Sequence, residues 1–137
     1  MQSAGYSGTP LIQKLGIKSG MRVHLSQIPE GYLELLGPGM DDVEQVKACR
    51  GLFNMMQLFV TSRTALERSL TRFKEHLEQD GMIWVSWPKK SSGVKTDITE
   101  DVIREVCLPM ELVDVKVCAI DAIWSGLKLV IRREARR

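Results

Sequence analysis

The chain has 137 residues, 44% of them hydrophobic and 26% charged, with a formal net charge of +2. That balance is the balance of a globular protein with a core of its own, and residues 1–137 are read as a single domain. A charge so near neutral sets up no global field that calls for nucleic acid, and no apolar run approaches the roughly 18 residues of a membrane span.

Residues 1–8 read as flexible, and the opening MQSAGYSGTP lacks the basic and apolar regions of a signal peptide. Thr9-Pro10 reads as a helix start, with Thr9 as N-cap, and LIQKL as a short helix ended by Gly16. Met21, Val23 and Leu25 alternate with Arg22 and His24, which gives the first strand with a polar face on the Arg22 and His24 side. Gln27-Ile28-Pro29-Glu30-Gly31 breaks it, and residues 32–36 form a short helix stopped by Gly37-Pro38-Gly39. Residues 43–49 are polar enough for an edge strand, and residues 50–54 are too short for a crossover helix.

MMQLFVT, residues 55–61, is a near-continuous apolar run, the mark of a strand buried on both faces. The helix after it has capping-box spacing at Thr64 and Glu67, with Ser62 as an alternative cap. Its apolar stripe is Leu66, Leu70, Phe73 and Leu77, which places His76 on it, and Asp80-Gly81 closes it. Ile83, Trp84, Val85 and Trp87 form the next strand, ended by Pro88. After a basic loop, Asp97 and Glu100 read as a second capping box for a helix carrying Val102, Ile103 and Val106. VDVKVCAI and LKLVI are two strands joined by a turn too short for a crossover, so they are antiparallel. Residues 132–137 form a basic tail, four of the six being arginine. Alternating strands and helices argue an α/β fold: a three-layer, mostly parallel sheet of about six strands, helices on both faces, closed by an antiparallel hairpin.

Two resemblances add to this. LGIKSGMRV and the closing hairpin resemble the start and end of Rossmann-like methyltransferases, which implies the strand order 2-1-3-4-6-5 with one βα unit missing near the front. GYSGTPLIQKLGIKSGMRV, LFVTSR, WVSWPKKSSGVKTD and VDVKVCAIDAIWSGLKLVIRR together resemble a family of small bacterial proteins of unknown function. That family implies a bacterial, single-domain protein and no particular reaction.

A methyltransferase of this fold needs a glycine-rich turn after its first strand and an acidic residue after its second. Here Ile28 and Pro29 occupy the turn, and Cys49-Arg50 follow the second strand with no carboxylate. Both departures count against S-adenosylmethionine, although Glu30 offers a ribose ligand.

The loops expected at the carboxyl ends of the strands instead hold Gln27, Glu30, Arg50, Arg63, Lys89, Lys90 and Lys95, with hydroxyls from Ser91, Ser92 and Thr96. Such a basic edge suits a phosphate, nucleotide or carboxylate, while a lysine in a loop is equally read as a solvated side chain. No Walker spacing and no nucleophile elbow is present, and neither His24 nor His76 has neighbours at metal-ligand spacing, so no metal is expected. Cys49, Cys107 and Cys118 are odd in number and lack C-x-x-C spacing, which fits free thiols in a cytoplasmic protein. The leading reading is a small-anion or nucleotide-binding domain. The alternatives are a non-catalytic interaction or regulatory module on a degenerate methyltransferase-like scaffold, and a divergent S-adenosylmethionine-dependent transferase. A homodimer through the edge strand at residues 43–49 is a further expectation, with a protein partner as the other occupant.

Overall fold

The computed structural model describes residues 8–137; the lead-in expected at residues 1–7 lies outside them. Six strands, β1 (Arg22–Ser26), β2 (Glu44–Gln45), β3 (Phe53–Phe59), β4 (Leu77–Pro88), β5 (Leu112–Ala119) and β6 (Trp124–Ile131), form one sheet in the order β2-β1-β3-β4-β6-β5. The first four are mutually parallel, and β6 runs antiparallel to both β4 and β5. This is the expected α/β architecture and strand order. The missing unit is visible in the chain: residues 46–52 run from β2 to β3 without a helix.

Helices cover both faces. α1 (Leu11–Leu15) and α2 (Tyr32–Leu36) close one side over Val23, Leu25, Met55, Phe59, Met82 and Trp84. α3 (Arg63–Lys74) and α4 (Glu100–Cys107) close the other over Met56, Leu58, Ile83, Val85, Leu127 and Leu129. Period-two alternation in each strand divides its apolar residues between these two cores, which is why β3 and β4 read as continuous apolar runs. Trp84 is fully buried and its indole N–H donates to the Leu15 carbonyl at 2.9 Å; Trp87 is buried on the other face.

Several local readings shift. α1 begins one residue later than expected, with Pro10 itself in the N-cap place. Ser62, not Thr64, caps α3: its Oγ accepts from Ala65 N at 3.2 Å. α3 ends at Lys74, and Leu77 belongs to β4, where it pairs with Phe53. The next pair along is Met82 with Met55, so residues 78–81 bulge out of the strand, and Asp80-Gly81 lies in that bulge rather than closing the helix. A Cβ on Gly81 would lie 3.0 and 3.1 Å from the Phe53 and Asn54 carbonyl oxygens, so the bulge needs a glycine there. The side of β1 expected to be polar is covered by α3. His24 is buried between the rings of Phe53 and Phe73, each centroid 5.4 Å away, and its Nδ1 bonds the Val46 carbonyl at 2.9 Å. His76 lies past the end of α3, with Nδ1 bonded to the Gly51 carbonyl at 2.7 Å.

β2 is much shorter than the strand expected over residues 43–49. It pairs only with Arg22 and Val23, after which the chain turns back. That edge therefore offers two residues to a second copy, whereas β5, at the opposite edge, has eight. No helix of the described residues is long and apolar enough to cross a membrane.

Candidate functional site

In an open parallel sheet, a crevice forms outside the carboxyl ends of two strands whose connections leave in opposite directions. Here β1 connects through α2 on one face and β3 through α3 on the other, so the crevice belongs between β1 and β3. The loop after β1, residues 27–31, is shaped by two left-handed residues, Gln27 at φ +58° and Gly31 at φ +82°. Gln27, Glu30 and Gly31 are exposed, while Ile28 and Pro29 are half-buried and Ile28 packs on the α1–α2 core. A Cβ on Gly31 would meet nothing within 4 Å, so the backbone there faces open space.

Behind the loop, a buried polar chain ties the first residue of α2 to the sheet. The Tyr32 hydroxyl donates to Gln57 Oε1 at 2.7 Å, and Gln57 Nε2 donates to Ser86 Oγ at 3.0 Å, linking α2 to β3 and β4. All three residues are at most 2% exposed. The Tyr32 ring stands edge-on to Phe59 at 4.8 Å, and Phe59 edge-on to Trp124 at 5.1 Å. Burial raises the Tyr32 phenol well above its ordinary pKa, so it stays a donor through the physiological range. Sequence reading passed over this chain, although a glutamine inside an apolar run was the available signal: buried, it must find partners.

The loop after β4 is tied down at several points. Lys89 N donates to the Ile123 carbonyl at 2.7 Å, and Ser92 Oγ both donates to the Lys89 carbonyl and accepts from Val94 N. Thr96 Oγ1 donates to the Thr61 carbonyl at 2.6 Å, joining this loop to the one after β3. Asp97 does not cap its own helix. Thr99 does so, accepting from Val102 N, while Asp97 Oδ1 accepts from Arg63 N at 2.7 Å and caps the first residue of α3. A carboxylate at the positive end of α3 satisfies an otherwise open N–H group.

The structure brings Gln27, Glu30, Lys89, Lys90, Ser91, Ser92, Lys95 and Thr96 to the carboxyl edge of the sheet, on the loops after β1 and β4. Two expected members fall away. Arg50 lies at the opposite edge: its carbonyl accepts from Arg22, the first residue of β1, because the chain has turned back after the short β2. Arg63 reaches the right edge, but its guanidinium is engaged by Glu105 at 2.7 Å and Glu67 at 3.2 Å, hydrogen bonds that hold it protonated and neutralised.

Among the described residues no group of His, Cys, Asp and Glu is placed to hold a metal ion. The thiols are held protonated. Burial pushes Cys107 up to about 11, with Asp114 adding to the effect, and it also raises Cys49 and Cys118. A cleft of about 540 Å³ opens at the amino edge of the sheet, lined by Leu77, Met110 and Ile131 among others.

No protein-family model and no curated protein matches the sequence. The fold has many likenesses among solved structures. A methyltransferase from Pyrococcus furiosus superposes with a TM-score of 0.58 at 11% identity, over 89% of this chain and 80% of that one. The ribosomal protein L11 methylase of Lactobacillus delbrueckii subsp. bulgaricus gives 0.56 at 12% identity, over 90% and 76%. The magnesium protoporphyrin IX methyltransferase of Synechocystis, solved with bound S-adenosylmethionine, gives 0.56 at 9% identity, over 88% and 74%. At these identities the likeness is one of fold, and it shows the Rossmann-like methyltransferase architecture.

It also corrects the expectation set against S-adenosylmethionine, because this architecture carries that cofactor in the Synechocystis structure. One ground of the expectation, the bulk at the β1 turn, gives way in the structure. Ile28 turns toward the core with Pro29 half-buried, leaving Gln27, Glu30 and Gly31 at the surface. The residues that follow β2 are Val46 and Lys47 rather than Cys49 and Arg50, and no carboxylate stands there either.

Proposed function

We propose that this chain is a divergent S-adenosylmethionine-dependent transferase, with the donor over the carboxyl ends of β1 and β3. The observation that carries the reading is the fold, with its strand order reversed between β1 and β3 and an antiparallel last strand, which superposes on methyltransferases including one solved with that donor bound. The residues at the crevice suit the group. Two left-handed residues bend the β1 loop, Gly31 leaves its backbone bare, and Glu30 is an exposed carboxylate with no ion-pair partner among the described residues. Glu30 would hold the ribose hydroxyls, and the open backbone at Gly31 would lie against the amino-acid end of the donor. When bound, the donor supplies an electrophilic methyl group; the chain's own part is to bind and orient it.

A second reading, donor binding without transfer, is favoured by one observation. Neither histidine stands at this edge, His24 being buried against Phe53 and Phe73 and His76 lying beside Gly51 at the amino edge, and burial keeps the thiols protonated. Both readings require the donor to bind. Thermal unfolding with increasing S-adenosylmethionine or its demethylated product tests that requirement, since a ligand of the native state raises the midpoint with concentration. The expected result is a rise with either compound that Glu30→Gln reduces. An unchanged midpoint at millimolar concentrations of both contradicts the proposal.

A further inference from the structure

The charges at the carboxyl edge are unevenly balanced. Arg63, at the start of α3, is paired with Glu67 and Glu105, and Arg104 on α4 with Glu100, Asp101 and Asp114. The carboxylates nearest the loop after β4 are turned onto backbone donors. Asp97 accepts from Arg63 N, and Asp121 Oδ1 accepts from Ile123 N and Trp124 N, both at 2.8 Å. Glu30 lies on the far side of β3 from that loop. Lys89, Lys90 and Lys95 therefore have no ion-pair partner among the described residues. Their loop is held in place by its own hydroxyls, through Ser92 to Lys89 and Val94 and through Thr96 to Thr61, while the exposed Ser91 hydroxyl faces solvent.

We propose that residues 89–96 form a binding site for a phosphate-bearing small molecule, held by the ammonium groups of Lys89, Lys90 and Lys95 and the Ser91 hydroxyl. Three unneutralised ammonium groups on one pinned loop suit an anion of two or more charges, for which lysine acts as a point charge. The pinning means little conformational freedom of the loop is lost when it binds. A net charge of +2 over the whole chain and a patch confined to one loop fit a compact anion better than the extended backbone of a nucleic acid. Binding here stands independently of the transferase reading. Only the further assignment of the bound molecule as the methyl acceptor, on the same edge as the donor, rests on it.

The probe is inorganic pyrophosphate, titrated by calorimetry into the full chain with no methyl donor present. The expected result is saturable binding to wild-type protein that weakens about tenfold or more in Lys89→Ala/Lys90→Ala. The control Arg132→Ala/Arg133→Ala removes the same charge from the basic tail and is expected to bind as wild type. Equal weakening in both variants, no binding to wild type, or tighter binding of a single-stranded RNA ten-mer than of pyrophosphate overturns the proposal. Amide resonances of the unmodified protein give a reading that needs no variant: pyrophosphate is expected to shift residues 89–96 most, and a largest shift elsewhere overturns it. Failure of pyrophosphate leaves the donor titration untouched, so the two proposals fail separately.

Discussion

Replacing Tyr32 with phenylalanine removes one hydroxyl and keeps the ring that meets Phe59 at 4.8 Å. The lost bond is the 2.7 Å contact to Gln57 Oε1, buried where no water replaces it. A buried acceptor left without a donor costs about 1–3 kcal/mol. For a domain of this length that is about 3–4 °C in Tm per kcal/mol, so Tyr32→Phe is expected to lower the midpoint by ~3–12 °C. The pH dependence adds a second signature. Because the folded phenol has its pKa raised by burial, its contribution is whole below about pH 10, where the unfolded phenol ionises, and is lost as pH rises further. Thermal and urea unfolding of both proteins between pH 7 and about pH 11 would measure both effects. A ΔΔG below about 0.5 kcal/mol at neutral pH, or an unchanged slope above pH 10, would refute the buried chain as a stabilising link between α2 and the sheet.

Other substitutions probe other parts of the account. The Cys107 thiol, pushed up to about 11 from 9.0, contributes stability below pH 9 that is lost as pH rises toward 11; Cys107→Ala is expected to flatten that window in urea titrations. Asp97→Ala opens the first N–H of α3 and is expected to cost about 1 kcal/mol in chemical denaturation, with an intact α4, since Thr99 caps that helix. Gly81→Ala drives a Cβ against the Phe53 and Asn54 carbonyls and is expected to cost on the order of 1–3 kcal/mol in the same assay. A neutral result there would contradict the bulge in β4.

The sheet was legible because its signals are long and redundant. MMQLFVT and MIWVSWP each divide their apolar residues between two cores, and the short links 46–52 and 120–123 leave room for no helix. Boundaries misled where two residues competed for one role. Leu77 continues the stripe of Leu66, Leu70 and Phe73, yet its backbone pairs with Phe53; Asp97 and Thr99 both suit a cap, and tertiary contact assigns them to different helices. The site was half legible. The loops after β1 and β4 lie at the carboxyl edge because they adjoin strands that periodicity detects, whereas the place of Arg50 depends on β2, a two-residue strand that periodicity does not detect. The Tyr32–Gln57–Ser86 chain joins residues 25 and 29 positions apart, a pairing that no local pattern encodes.

The central claim is that the crevice between β1 and β3 receives the methyl donor. The most direct measurement is the shift of backbone amide resonances on titrating in S-adenosylhomocysteine. The account predicts that the largest changes fall on residues 27–31 and 60–62, with residues at the amino-edge cleft such as Leu77 and Ile131 unmoved. No change at saturating concentration, or changes confined to the amino edge, would contradict it.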